Sequence, residues 1–176
     1  MSILKVARMG HPVLRTPARR LERVHLRNAG VQRLIDDMID TMVEYHGVGL
    51  AAPQVHEDVR LFVAVLDGHQ DGESEGEPVV IVNPEITPAA GSDIIEGWEG
   101  CLSIPDIRGR VPRAREVTLR GLDRRGERFE RQLQDFPARV AQHETDHLDG
   151  ILFFDRMRSF ESLTFMDEYS RYWAKD

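Results

Sequence analysis

At 176 residues, and with no apolar run near the roughly 20 needed to span a bilayer, the chain fits one domain, residues 1–176, able to bury a core without disulfides. A hydrophobic class of 41% and a charged class of 30% exclude both a disordered tail and a membrane composition. The net charge of −7 argues against a polyanion as main partner, and the N-terminus lacks the apolar core of a signal peptide, so a cytoplasmic protein is expected.

In chain order, Val31, Leu34, Ile35, Met38, Ile39, Met42 and Val43 recur at helical spacing and predict an amphipathic helix stopped by Gly47. The following Gly47-Val-Gly-Leu-Ala-Ala-Pro-Gln54 is too glycine-rich and small for ordinary helix or strand. Val59–Leu66 and Pro78–Asn83 predict strands, with Asp67–Glu77 between them as an acidic surface loop without chemistry. Glu116–Arg120 and Arg128–Leu133 predict paired strands joined through Asp123-Arg-Arg-Gly126. A second helix is expected from about Phe136, capped by Asp135, with Pro137 in its first turn and Gly150 at its end. Phe160, Leu163, Met166, Tyr169, Tyr172 and Trp173 predict a closing helix. Strands on either side of a long helix, without βαβ alternation, favour a single-domain α+β fold. Its mixed or antiparallel strands would pack around the second helix, with a C-terminal helix completing it.

Chemistry enters with His143-Glu-Thr-Asp-His147, an H-E-x-x-H pattern in that second helix. Residues four apart share a helical face, so both imidazoles can grip one ion. Glu144 is displaced around the helix and can reach a water there without being a ligand, which suits metal-assisted hydrolysis. The pattern arises by chance in about one in a few hundred chains of this size, so its placement in a capped helix carries the weight. Three readings of the third ligand position can be weighed. An extended protease pattern would need histidine at 153, where Phe153 stands. Glu168, on the later helical pattern, would make the chain a zinc metallopeptidase. Cys101, the sole cysteine, cannot form an internal disulfide, and in Glu96-Gly-Trp-Glu-Gly-Cys-Leu-Ser-Ile-Pro105 it would complete a His₂Cys site with an open position. Nine arginines between Arg108 and Arg131 are read as a solvated strand face in preference to an RNA-binding surface.

Taken together, Gly47-Val-Gly-Leu-Ala-Ala-Pro-Gln-Val55, Glu99-Gly-Cys-Leu-Ser-Ile-Pro105 and Gln142-His-Glu-Thr-Asp-His-Leu-Asp-Gly150 resemble, in order and spacing, the three signature motifs of peptide deformylases. The resemblance runs from Gly10-His-Pro-Val-Leu14 to about Met157. It implies an enzyme that hydrolyses the N-formyl group from formyl-methionine at the start of new polypeptides and releases formate. It implies Cys101, His143 and His147 as metal ligands, water as the fourth, and Glu144 as general base and then general acid. Gln54 through its side-chain amide and Leu102 through its backbone N–H would stabilise the developing oxyanion. Gly47 and Gly49 would let a substrate backbone approach and pair in strand fashion. Val48 would line the methionine pocket, and Arg108 would contact the substrate backbone.

Ferrous iron is the implied natural ion, with zinc, nickel or cobalt able to substitute, and a thiolate beside it predicts oxygen sensitivity. The implied partners are formyl-Met peptides and nascent chains. No membrane partner and no direct nucleic-acid function are expected, and the chain is expected to be a monomer. Two departures stand out. His56 occupies a position where the family often has glycine. The C-terminal segment is brief, where some relatives carry a longer tail helix that contributes to ribosome contact; the arginine cluster keeps a transient ribosome contact open here. His11, His25, His46, His56 and His69 have no matched role and are read as surface or packing residues. A non-catalytic peptide-binding relative is the remaining reading, and the intact Glu144, Gln54 and Cys101 argue against it.

Overall fold

A computed structural model describes residues 2–67, 69–70, 73–74 and 76–174. Helix α1 spans Ala29–Glu44, with the Asn28 side chain accepting the Gly30 N–H at 2.7 Å, and buries Ile35, Met38 and Met42 on one face. The left-handed residue that ends it is His46, at φ 53°, and not the expected Gly47.

The glycine-rich segment expected to be irregular does form a strand, β1 (Gly49–Ala51), antiparallel to β2 (Leu61–Ala64), followed by a 3-10 turn at Ala52–Val55. Pairing with β2 supplies ladder bonds that local propensity could not indicate. The acidic stretch expected as a plain loop contains a short hairpin, β3 (His69–Gln70) and β4 (Glu73–Ser74). The side chains from 68 to 75 lie outside the described residues, and with them the expectations of a chemically silent loop and a surface His69.

With β5 (Val79–Pro88), β8 (Glu116–Leu122) and β9 (Arg128–Gln134), the first two strands build a five-stranded antiparallel sheet in the order β1-β2-β5-β8-β9. Both faces of its centre are covered. Leu50, Leu61, Val63, Val80 and Val82 pack with Ile35, Met38 and Met42 of α1, while Ala51, Phe62, Ala64 and Ile81 pack with Ala138, Ala141 and Leu148. The latter three belong to helix α2 (Asp135–Leu148), so the sheet is sandwiched and β2 reads as an unbroken apolar run.

Asp135 does not cap α2 as expected. It has φ 55°, its N–H donates to the Arg115 carbonyl at 2.8 Å, and its carboxylate takes the Arg115 Nε at 2.8 Å. Gly150 does end the helix, at φ 73°, and a Cβ there would lie 2.8 Å from the backbone of Arg15.

A second sheet was not anticipated. β6 (Ile94–Cys101) and β7 (Ile104–Ala114) form a long hairpin, to whose outer edge β10 (Thr164–Phe165) adds. Glycine, proline and charge dilute its period-2 signal, because part of its inner face is filled by arginine and glutamate. Thus Arg113, read as part of a solvated face, is only 5% exposed. Ala7, Leu14, Ile104, Val111 and Leu152 close a third apolar cluster with Phe153, which opens helix α3 (Phe153–Arg156). The closing helix is shorter than expected: α4 is Met166–Tyr172, and Phe160 lies ahead of it, 67% exposed. No helix among the described residues is long and apolar enough to cross a membrane.

Candidate metal centre and catalytic cleft

His143 and His147 project from the same face of α2, their rings 4.9 Å apart and nearly perpendicular. The register shift between Gly100 and Cys101 ends the β6–β7 ladder and brings Cys101 Sγ to 3.2 Å from His147 Nε2. The donor atoms of Cys101, His143 and His147 all lie within 4.8 Å of one another. One thiol and two imidazoles at such separations match the donor set of a transition-metal site that keeps a position open. Glu168 is not in this group. It sits on α4 and pairs with Arg171 at 3.1 Å, so the peptidase ligand set is not assembled.

The surroundings of the histidines favour a cation. His143 Nδ1 lies 2.9 Å from Glu99 Oε2, which leaves Nε2 for the centre. Burial pushes His143 down, but the hydrogen bonds it donates to Cys101 and Glu99 outweigh it and hold the imidazole well above its ordinary range. His147 is driven the other way, chiefly by burial and then by the positive charges of His143 and Arg113. Its Nδ1 is buried without a hydrogen-bond partner among the described residues. An imidazole kept neutral, with Nε2 turned to Cys101, is in the state a ligand requires.

Glu99 is the hub behind the ligands. Its Oε1 accepts from Arg113 Nε at 2.9 Å and Arg139 Nη1 at 2.8 Å, and its Oε2 accepts from Arg113 Nη2 at 3.0 Å. Burial raises its pKa, yet the bonds from His143 and Arg113 more than compensate and keep it a carboxylate far below the usual range. Arg113 continues to Asp146 of α2, which Arg156 grips at 2.6 Å. Glu99 and Asp146 lie inside or beside recognised motifs, but sequence reasoning gave neither of them, nor Arg113 or Arg139, a role. The available signal was that Arg139 and Asp146 share the helical face of His143.

Glu144 is 4% exposed, and its Oε2 has no hydrogen-bond partner among the described residues. Burial pushes its pKa up to about 7, against the opposing charge of His143. It lies against β1: a Cβ on Gly49 would come within 2.8 Å of Glu144 Cγ and Cδ. Gln54 is 2% exposed, and its Oε1 is fixed by the Ala51 N–H at 2.8 Å. Its Nε2 therefore points inward, 3.2 Å from Ser103 Oγ and 3.5 Å from Cys101 Sγ. Leu102 is in the turn after Cys101, and its Cδ1 would be 3.1 Å from a Cβ on Gly47. Val48 packs partly buried against the core under β1. The structure thus gathers Gly47, Val48, Gly49, Gln54, Cys101, Leu102, His143, Glu144 and His147.

Arg108 is set apart from that group. It stands on the face of β7 opposite Arg113, with Nε 3.0 Å from Met166 Sδ and the guanidinium 5.1 Å above the Tyr169 ring. His11, His25, His46 and His56 are exposed, and the His11 and His56 rings meet edge-on at 4.7 Å.

Comparison with known proteins gives one consistent result. A family model described as polypeptide deformylase matches residues 3–162. Peptide deformylase 2 of Nostoc sp. is 41% identical over 99% of this chain and 97% of its own length. The peptide deformylase of Heliobacterium modesticaldum is 45% identical over 90% of this chain and 97% of its own. Among solved structures, the Met-Ala-Ser-bound class I type b peptide deformylase of Acinetobacter baumannii superposes with a TM-score of 0.81 at 40% identity, covering 89% of this chain and 99% of that one. The Thermotoga maritima peptide deformylase gives a TM-score of 0.80 at 35% identity, covering 90% of this chain and all of that one. The chain belongs to the polypeptide deformylase family.

Proposed function

We propose that this chain removes the N-formyl group from formyl-methionine at the start of nascent polypeptides, with Cys101, His143 and His147 holding a ferrous ion and Glu144 handling the proton. The observation that carries the reading is the meeting, at one end of α2, of three donors within 4.8 Å of one another with a buried carboxyl group. When bound, the ion supplies Lewis acidity and a lowered pKa for water. Zinc, nickel or cobalt suits the same donors, and iron beside a thiolate accounts for the oxygen sensitivity this reading expects.

The chain's own residues do the rest. Glu144, with its pKa near 7, is placed to accept a proton from water and return it to the departing amine nitrogen. Gln54 Nε2 donates toward the formyl oxygen as negative charge builds there, and the Leu102 N–H is the second donor; such a donor is worth about 3 kcal/mol in the barrier. The edge of β1 not paired to β2 offers its backbone to an extended peptide, with Gly47 and Gly49 allowing the approach and Val48 lining the methionine pocket. Met-Ala-Ser in the Acinetobacter baumannii relative is the kind of peptide this deformylation would leave. In this reading Arg108, which lies outside the cluster around the three donors, is assigned a contact with the substrate backbone.

The unit that acts is the single domain 1–176, working as a cytoplasmic monomer, and transient ribosome contact is assigned to its arginine-rich surface. The test is formate release from formyl-Met-Ala-Ser by protein loaded with Fe²⁺ under anoxic conditions, beside Glu144→Ala. Release that vanishes in the variant supports the reaction and the base together. No release from folded, loaded protein would reject both.

A further inference from the structure

The proposed metal donors come from two elements, Cys101 from the tip of the β6–β7 hairpin and His143 and His147 from α2. A coordination sphere tolerates deviations of only about 0.2 Å, so hairpin and helix must be held at one separation. We propose that Arg139 is a positioning residue that fixes this separation and thereby sets the affinity and geometry of the metal centre. The inference rests on the metal site proposed above.

Arg139 lies one helical turn before His143, on the same face of α2, and is 6% exposed. Its guanidinium reaches across to the hairpin. Nη1 donates to Val111 O at 2.7 Å and to Glu99 Oε1 at 2.8 Å, with Gly97 O at 3.4 Å, and Nη2 donates to Ile95 O at 2.9 Å. Both hairpin strands are therefore tied to the helix that carries the imidazoles. Gly97 provides the room: a Cβ there would sit 2.8 Å from Arg139 Nη2 and 2.9 Å from Cζ. Glu99 carries the constraint to the ligand. Arg139 and Arg113 together occupy Oε1, while Oε2 faces His143 Nδ1 and so presents the ring through Nε2.

Arg113 alone supplies Glu99 with a bidentate cation, so Arg139 is not required for charge compensation. What it adds is the grip on backbone carbonyls of β6 and β7. A buried arginine serving only as an ion partner would not need an empty glycine face beneath its guanidinium.

The test uses the full chain, with the Zn²⁺ dissociation constant measured by chelator competition and the electronic spectrum of the Co²⁺-loaded protein. Arg139→Met keeps the apolar stem and removes the fork; it is expected to weaken Zn²⁺ binding 10- to 100-fold and to shift the ligand-field and thiolate charge-transfer bands. Gly97→Ala keeps the charge but displaces the guanidinium, and is expected to move both readouts in the same direction. Arg139→Lys, able to reach Glu99 but not to fork across carbonyls, should restore only part of the affinity. The exposed Arg120→Met is the control and should match the parent.

A folded Arg139→Met with affinity within twofold of the parent and an unchanged cobalt spectrum would overturn the proposal, even if it melted earlier. Full rescue by lysine would likewise overturn the carbonyl clamp. Should the methionine variant fail to fold, parental affinity and spectrum in Gly97→Ala would decide against it. A parent that binds neither ion would remove the metal site itself and this role with it.

Discussion

Replacing Gly49 by alanine adds one methyl group to the strand that lies over the buried Glu144 carboxyl group, the proposed base. The new carbon would stand 2.8 Å from both Cγ and Cδ of Glu144, closer than real Cβ contacts come. Glu144 cannot swing into solvent to relieve this, because it is only 4% exposed and rooted on α2 against β1. Either β1 moves from α2 or the carboxylate shifts, and overpacking of this kind costs about 1–3 kcal/mol of stability. Misplacing a catalytic group by about 1 Å costs roughly 100-fold in rate, so kcat for a formyl-Met peptide should fall by about that factor.

Two neighbouring glycines calibrate the argument. A Cβ at Gly47 would press on the movable Leu102 Cδ1 at 3.1 Å and touch the Gly49 and Met42 carbonyl oxygens at 3.4 and 3.5 Å, and one at Gly100 would make ordinary 3.6 Å contacts. The predicted order of damage is therefore Gly49→Ala, then Gly47→Ala, then Gly100→Ala. The assay is kcat on metal-loaded enzyme together with urea unfolding of each variant. Gly49→Ala with kcat within twofold of the parent and an unchanged unfolding midpoint would refute the tight fit between β1 and Glu144.

Gln54→Glu keeps the acceptor for the Ala51 N–H but loses the Nε2 donor. It should lower kcat by about 100- to 1000-fold with little change in urea midpoint, and equal losses in both would speak against an oxyanion role. Phe153→Ala empties a site that is 1% exposed and removes the ring stacked 6.4 Å from His143, so it should cost about 3–5 kcal/mol in a thermal or urea unfolding series. Asp155 fastens α3 by accepting the Leu152 N–H at 2.7 Å and by pairing with Arg15. Burial raises its pKa, but Arg15 and the Leu152 N–H outweigh this and hold it below the ordinary aspartate value. Its contribution is therefore present above the unfolded-state pKa and lost as the pH falls through the folded one. With both partners partly exposed, that contribution is below about 1 kcal/mol. Asp155→Asn should lower the unfolding midpoint at neutral pH and converge with the parent in acid, and an equal gap at both pH values would contradict this.

Much of the molecule could be read locally. Helix α1 announces itself through 3.6-residue periodicity, α2 through Pro137 in its first turn and Gly150 at its end, and β2 and β5 through apolar runs. The spacing of His143, Glu144 and His147 is a property of a single helix, so the sequence by itself determined that both imidazoles share a face. It also determined that Cys101 had no disulfide partner in its own chain.

Residue spacing alone left Cys101 and Glu168 open and only the family resemblance favoured Cys101; it takes folding to bring the hairpin tip to the helix while Glu168 turns to Arg171. The β6–β7 hairpin escaped prediction for the same reason that it matters. Its inward positions carry Gly97, Glu99 and Arg113 instead of an apolar stripe, and such residues look solvated until their partners Arg139 and Asp146 arrive from α2. Local patterning reports how strongly a segment avoids water. It cannot report that a buried charge will be met by an opposite one, since that depends on which distant segment packs there.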